Sequence, residues 1–133
     1  MVTLPRALHG EIIAHCLSRY PKEACGLLAA DASGALVQVY PMTNTEDSPI
    51  GYAMDPREQL RVEQQMRQQS QRAVGIYHSH TASAAYPSSV DVRLAISPEI
   101  SYMLVSLQDR ARPDVKSYRI DGTTVRPEEV RLV

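Results

Sequence analysis

The sequence predicts an α/β protein in which helices pack around one mixed β-sheet. Segments with helical spacing of apolar residues alternate along the chain with short apolar runs, which is typical of helices and strands that share a core. Turns that contain glycine, proline or serine separate these segments. The chain has 133 residues, enough for one hydrophobic core and too few for two, so we expect a single domain over residues 1–133.

The first half of the chain predicts a helix, a β-hairpin and a second helix. Leu8, Ile12 and Cys16 recur at helical spacing. The run 25–30 has no polar side chain, as expected of a buried strand, and an Asp-Ala-Ser-Gly turn joins it to a hairpin partner. Asp55, Pro56 and Glu58 have the residue types of a helix capping box with proline at the first helical position. The predicted elements cover residues 5–19, 25–30, 36–40 and 55 to about 71, with a long polar loop at 41–54.

The second half predicts further strands around one short helix. A strand at 74–77 leads directly into the segment His78-Ser79-His80, and a loop of small residues follows. Asp121-Gly122 has the composition of a tight hairpin turn. The predicted elements are a loop at 81–87, a helix from 89 to about 96, and strands at 102–107, 115–120 and 124–130.

Composition and charge exclude several functional classes. Hydrophobic residues make up 44% and charged residues 22% of the chain, as in ordinary globular proteins. The formal net charge of -1 gives no reason to expect nucleic acid or an anionic membrane as a partner. No apolar run is long enough to span a bilayer, and residues 1–10 lack the apolar core of a signal peptide. Since the two cysteines form neither a CxxC motif nor a disulfide framework, we expect a reducing, cytoplasmic location.

The spacing of His78, His80, Ser88 and Asp91 is the strongest functional signal in the sequence. Side chains two residues apart in a strand point to the same face, so the histidines share one face. Asp91 can return to that face on a loop or at a helix start. Two imidazoles and a carboxylate, with one coordination position left open, are the donor set of catalytic zinc. Such zinc lowers the pKa of a coordinated water to about 7, which predicts hydrolytic chemistry.

Hydrolysis of an amide also needs a group that carries a proton from the water to the leaving amine. Of the upstream carboxylates, Glu23 is the best candidate, because it lies just before a predicted buried strand, where a carboxylate is unusual. The other candidates are Glu11, Glu46, Glu58 and Glu63. Glu58 is already assigned to a helix cap, and Glu11 is expected to pair with His15 four residues later. Ser88 is a candidate hydrogen-bond donor to the oxyanion that develops during the reaction.

Other interpretations of these residues remain open. Two strand histidines can simply pair with their neighbours, and Cys25 fits a small core residue better than a ligand or nucleophile. The pattern Ser88-x-x-Asp91 also resembles a capping box. A carboxylate bound to a metal is less available to a helix N terminus, so the two roles of Asp91 compete. We expect Ser88 near a helix start and Asp91 facing the metal.

Taken together, Glu23, His78-Ser79-His80, Ser88 and Asp91 resemble the JAMM signature of the JAB1/MPN/Mov34 metallopeptidases, with no position substituted. The resemblance extends over residues 8–120. The flanking segments 21–26, 78–82 and 85–88 are similar to a short bacterial branch that acts on sulfur-carrier proteins.

This resemblance implies a JAB1/MPN domain of the cytidine-deaminase-like type that holds one Zn²⁺ per chain. It implies that His78, His80 and Asp91 are the ligands, that Glu23 is the general base and acid, and that Ser88 supports the oxyanion. The implied partner is a ubiquitin-like sulfur-carrier protein with an extended, glycine-rich C terminus. Its terminal glycine is joined to cysteine through an amide bond, and hydrolysis releases free cysteine.

Two other functions are compatible with the resemblance. One is the same hydrolysis at a lysine isopeptide bond to a ubiquitin-like modifier. The other is a non-catalytic scaffold, as in some MPN relatives, but those typically lack several motif residues that this chain keeps. A homodimer is also compatible with the family.

Overall fold

A mixed β-sheet forms the centre of the molecule, described here for residues 1–133 from a computed structural model. Helices lie on both of its faces, as the sequence predicts. In chain order the elements are β1 (Val2–Leu4), α1 (Arg6–Arg19), β2 (Cys25–Ala30), β3 (Leu36–Met42), α2 (Pro56–Gln68), β4 (Arg72–His80), α3 (Ser89–Leu94), β5 (Ser101–Ser106), β6 (Asp114–Asp121), β7 (Thr124–Glu128) and β8 (Val130–Leu132).

The six strands of the main sheet follow the order β3-β2-β4-β5-β6-β7. β4 and β5 run parallel, whereas all other neighbours in this sheet are antiparallel. A parallel pair needs a long crossover connection, and the segment that contains α3 provides it. β1 and β8 form a separate parallel pair that joins the two ends of the chain.

The alternation of side chains along the strands divides the core between the two faces of the sheet. On one face, α1 buries its apolar side against the sheet, and Tyr77 and Met103 are among its fully buried contacts. On the other face, Val62 and Met66 of α2 pack against the β2 side chains of Cys25 and Leu27. This second face carries His78 and His80, because both have the parity of Ile76, which packs there.

The structure corrects several predicted boundaries. β3 continues through Pro41 and Met42, so the polar loop begins two residues later than predicted. α3 ends at Leu94, and the hydroxyl of Tyr102 accepts hydrogen bonds from the backbone N–H groups of Ile96 and Ser97. The strand predicted at 124–130 is divided into β7 and β8, because β8 leaves the main sheet to pair with β1.

Two predicted side-chain roles are also wrong. Glu58 does not close a capping box with Asp55; its carboxylate accepts hydrogen bonds from the backbone N–H and the hydroxyl of Thr43, each at 2.9 Å. It therefore ties α2 to the end of β3. His15 does not pair with Glu11, because its Nδ1 lies 2.7 Å from the hydroxyl of Tyr77.

Cys16 and Cys25 are both free and buried, consistent with the prediction that they form no disulfide framework. None of the helices combines the length and the apolar character that crossing a bilayer requires.

The close packing of β2 against Tyr77 predicts contrasting effects of two glycine substitutions. A Cβ at Gly26 would overlap the fully buried ring of Tyr77, whereas a Cβ at Gly10 in α1 would meet no atom within 4 Å. We expect Gly26→Ala to lower the free energy of unfolding by about 1–3 kcal/mol. Gly10→Ala should raise it by up to about 1 kcal/mol, since alanine favours helix interiors. Denaturant unfolding measures both values, and equal stabilities for the two variants would contradict this packing.

Candidate metal centre

Three donor side chains converge at the end of β4. The Nε2 atoms of His78 and His80 lie 3.3 Å apart, and each faces the carboxylate of Asp91. Oδ1 of Asp91 is 3.3 Å from Nε2 of His78, and Oδ2 is 3.0 Å from Nε2 of His80. All three ligand atoms lie within 4.8 Å of one another. This donor set fits a divalent metal ion with one coordination position left for a water or a substrate.

The hydrogen bond made by Nδ1 of His80 determines which nitrogen of the neutral ring carries the proton. Nδ1 of His80 lies 2.9 Å from the carbonyl oxygen of Ala84. A carbonyl oxygen can only accept, so Nδ1 carries the proton. In the neutral ring, Nε2 is then left with a free lone pair directed at the centre, as a metal ligand requires.

The ring of Tyr52 orients the other histidine. Tyr52 stacks on His78 with a centroid separation of 4.5 Å and an angle of 29° between the rings. Since His78 is only 3% exposed, this contact and the sheet beneath leave the imidazole little freedom to turn.

The three groups perturb one another's protonation. Burial lowers the pKa of His78, although the hydrogen bond and charge of Asp91 oppose this. Burial also acts to lower the pKa of His80, but the hydrogen bonds to Asp91 and Ala84 outweigh it, and the pKa is raised. Burial alone would raise the pKa of Asp91, yet the hydrogen bonds to both histidines, the charge of His78 and the backbone N–H of Ser88 hold it well below its usual range. Asp91 is therefore an ionised carboxylate near neutral pH.

Asp91 also closes a capping box at the start of α3. Its backbone N–H donates to Oγ of Ser88 at 3.1 Å, and its Oδ2 accepts from the backbone N–H of Ser88 at 2.9 Å. The expected competition between capping and facing the metal is absent, because Oδ2 contacts both Ser88 and His80 while Oδ1 faces His78. The cap holds the carboxylate in place. Because Oγ of Ser88 acts as an acceptor, its hydroxyl proton remains available for donation.

Glu23 lies just before β2, beside the two histidines. The register of β2 and β4 sets Cys25 opposite His78. Ser79, between the histidines, accepts a hydrogen bond from the backbone N–H of Ala24 at 2.8 Å and donates its own N–H to the Ala24 carbonyl at 3.0 Å. Ala24 is therefore bonded to the residue between the two histidines. Glu23 directly precedes Ala24, so its backbone is held close to both ligands.

The surroundings of Glu23 suit proton transfer. Its side chain is buried, and burial is the main cause that raises its pKa to about 7. His80 opposes the shift, whereas the nearby carboxylates of Asp91 and Glu46 add to it. A carboxyl group with a pKa near the working pH can both take up and return a proton.

An apolar cleft adjoins the three donors. It lies beside His78 and Asp91 and reaches across the sheet to β6. A second hollow meets it at Tyr52 and Leu94 and opens towards Ile50. The apolar lining of the first comprises Tyr52, Ile76, Pro87, Leu94, Ala95, Ile96, Tyr102, Leu104 and Ile120.

Some residues that shape this centre carry no signal in the sequence. Ser79 looks like a spacer between histidines, and Asn44 and Tyr52 lie in what reads as an ordinary polar loop. Their roles arise from contacts distant in sequence: Ser79 with Ala24, Tyr52 with His78, and Asn44 with Glu23. The local sequence is informative for the spacing of His78, His80, Ser88 and Asp91, and for Glu23, which lies just before an apolar strand.

Comparison with known proteins identifies the family of this chain. The family model described as prokaryotic homologs of the JAB domain matches residues 5–121. This chain belongs to that family. The JAB1/MPN fold and the metallopeptidase family predicted from the sequence are thereby confirmed.

Similar proteins include both curated enzymes and a solved structure. The CysO-cysteine peptidase of Mycobacterium tuberculosis is 45% identical over 123 residues, which cover 92% of this JAB chain and 84% of that protein. The probable TtuB-protein conjugate cleaving protease of Thermus thermophilus is 34% identical over 93 residues, covering 69% and 62% of the two chains. The solution structure of a Desulfitobacterium hafniense protein is 40% identical, with a TM-score of 0.91 over 100% of this chain and 93% of that one.

The two roles of Asp91 can be separated by substitution. Asp91→Asn keeps an oxygen for the Ser88 N–H but removes the negative charge, so we expect most of the bound metal to be lost. Ser88→Ala removes the Oγ acceptor of the capping box but keeps the backbone N–H that holds the Asp91 carboxylate. It should therefore cost about 1 kcal/mol of stability and keep the metal. Both proteins would be offered zinc, dialysed and analysed for metal per chain. Retention of metal by Asp91→Asn, or its equal loss from both variants, would contradict the assignment.

Proposed function

We propose that this chain is a zinc-dependent hydrolase of the amide bond between cysteine and the C-terminal glycine of a ubiquitin-like sulfur-carrier protein. The observation that carries the proposal is the convergence of His78, His80 and Asp91 beside the buried carboxylate of Glu23. The 45% identity to a CysO-cysteine peptidase supports the choice of substrate.

His78, His80 and Asp91 would hold the zinc ion. When bound, Zn²⁺ supplies a Lewis acid that makes water nucleophilic near neutral pH and polarises the scissile carbonyl. Glu23 takes one proton from the attacking water as the water oxygen bonds to the carbonyl carbon. Glu23 then returns that proton to the amine nitrogen as the C–N bond breaks. The hydroxyl of Ser88 donates a hydrogen bond to the oxyanion formed between these two steps.

Exposed apolar side chains around the centre support the proposal that the substrate is a thin, extended tail. Ile50 on one side of the cleft is 89% exposed, and Val90 and Leu94 on the other side are 44% and 64% exposed. Apolar side chains grouped at the mouth of a cleft are typical of a surface that binds a partner. The hydroxyl of Thr81 donates to the Pro49 carbonyl at 3.0 Å and so connects the two loops that border the site. Glycine carries no side chain, so a glycine-rich C terminus is the thinnest peptide tail that such a surface could bind.

A second candidate function is the same hydrolysis at an isopeptide bond that joins a ubiquitin-like modifier to a protein lysine. The similarity to a protein named as a TtuB-protein conjugate cleaving protease favours it. Both candidates use the same groups of this chain and differ in the amine that leaves.

The substrate assignment can be tested by direct competition. We expect a ubiquitin-like carrier that ends in Gly-Gly-Cys to lose its cysteine faster than the same carrier is released from a lysine conjugate. Intact-mass spectrometry follows both reactions in one mixture. Faster release from lysine would favour the second candidate, and no cleavage of either substrate by zinc-loaded protein would reject both.

The role of Glu23 predicts a loss of turnover without a loss of metal. Glu23→Gln keeps the size of the side chain but cannot accept the proton, so kcat should fall by a factor of about 100 to 10,000. Zinc content should stay at the wild-type level, because the three ligands are unchanged. Full activity in this variant would remove Glu23 from the mechanism.

A further inference from the structure

We propose that Asn44 is a positioning residue for Glu23: its buried side-chain amide holds the backbone of the proton-carrying residue in register with the metal ligands. This inference rests on the proposed function, in which Glu23 carries the proton. Nothing in the JAMM-like pattern of the sequence includes Asn44.

The side chain of Asn44 uses its full hydrogen-bonding capacity. It is only 5% exposed. Its Nδ2 donates to the carbonyl oxygens of Glu23 and Gly51, both at 3.0 Å. Its Oδ1 accepts from the backbone N–H groups of Glu46 at 3.0 Å and Ala53 at 3.1 Å. A side-chain amide can donate two hydrogen bonds and accept two, so no group of the Asn44 amide is left unused.

These contacts make Asn44 the centre of the loop between β3 and α2. Two of its bonds close the loop on itself at Gly51 and Ala53, a third fixes the turn at Glu46, and the fourth leaves the loop to reach Glu23. The loop is therefore folded around one side chain, and that side chain binds it to the residue that carries the proton.

Glu23 depends on this loop for its position. Its hydrogen bonds are made by its backbone: the N–H donates to the Ser48 carbonyl at 2.8 Å, and the carbonyl accepts from Asn44. Both partners belong to the same loop. Residue 23 precedes the first residue of β2, so the sheet ladder does not include it. The direction of the Glu23 side chain follows from a backbone held by Asn44 and Ser48 on one side and by the Ala24–Ser79 pair on the other.

Loss of the Asn44 amide should therefore move Glu23 more than it moves the metal ligands. His78 and His80 lie within β4, Asp91 is held by the cap of α3, and none of the three bonds to Asn44. The loop that Asn44 organises touches a ligand through Tyr52, which stacks on His78 without a hydrogen bond to it. The Glu23 carbonyl would lose its buried partner. A displacement of about 1 Å at a reacting group can reduce turnover by roughly 100-fold.

The test is a double-mutant cycle between positions 44 and 23, measured on the zinc-loaded protein with the Gly-Gly-Cys carrier. We expect Asn44→Ala to lower kcat by about 10- to 100-fold, with KM and zinc content near the wild-type values. In the Glu23→Gln background the same change should lower kcat no further, because the residue through which it acts is already disabled.

Two further variants keep the test decisive. Asn44→Asp retains acceptors for Glu46 and Ala53 but loses the donors to Glu23 and Gly51, and it replaces Asn44→Ala if that protein does not fold. Ser117→Ala is the matched control for general destabilisation. Ser117 is 1% exposed and donates to Glu128 at 2.6 Å, on the sheet face opposite the histidines. It should lower the melting temperature and leave kcat unchanged.

Equal reductions of kcat in both backgrounds would overturn the inference, as would loss of zinc or an unchanged kcat in the folded position-44 variant. The proposed function fails in a different way: the wild-type protein would release no cysteine, or Glu23→Gln would stay fully active, whatever residue occupies position 44.

Discussion

The antiparallel pairing of β2 with β4 is the constraint on which the rest of the site depends. Its register sets Cys25 opposite His78, and the Ala24–Ser79 hydrogen bonds lock that alignment between the two histidines. A slip of one residue in β4 would turn both imidazoles to the face covered by α1, because side chains alternate along a strand. One register therefore brings the ligands to the correct face and sets Glu23 beside them.

Burying the polar and charged groups of this centre together is unfavourable unless a cation binds between them. Two buried imidazoles face one ionised carboxylate, and a second carboxylate lies close by with its pKa raised to about 7. Burying such polar groups costs free energy that a bound metal ion offsets, so metal binding and folding stability are coupled here. The capping box of Ser88 and Asp91 limits this cost, because it fixes the carboxylate through the helix start.

The parts of the site that the sequence reveals are those set by local geometry. A period of two predicts that His78 and His80 share a face, and the spacing from Ser88 to Asp91 predicts a helix start. Asn44, Tyr52 and Ser79 act through loop folding and strand register, which link residues far apart in the chain. The same holds for the fold: β1 was missed because its partner, β8, lies at the other end of the sequence. Glu58 has a capping-box spacing, yet its carboxylate bonds to Thr43 at the end of β3.

Hydrolysis by this chain as proposed requires that His78, His80 and Asp91 bind one zinc ion. Anomalous diffraction from crystals of the zinc-loaded protein, recorded on either side of the zinc absorption edge, tests it most directly. We expect one strong peak per chain, surrounded by Nε2 of both histidines and the carboxylate of Asp91. A peak at other side chains, or none at this position after zinc is supplied, would contradict it.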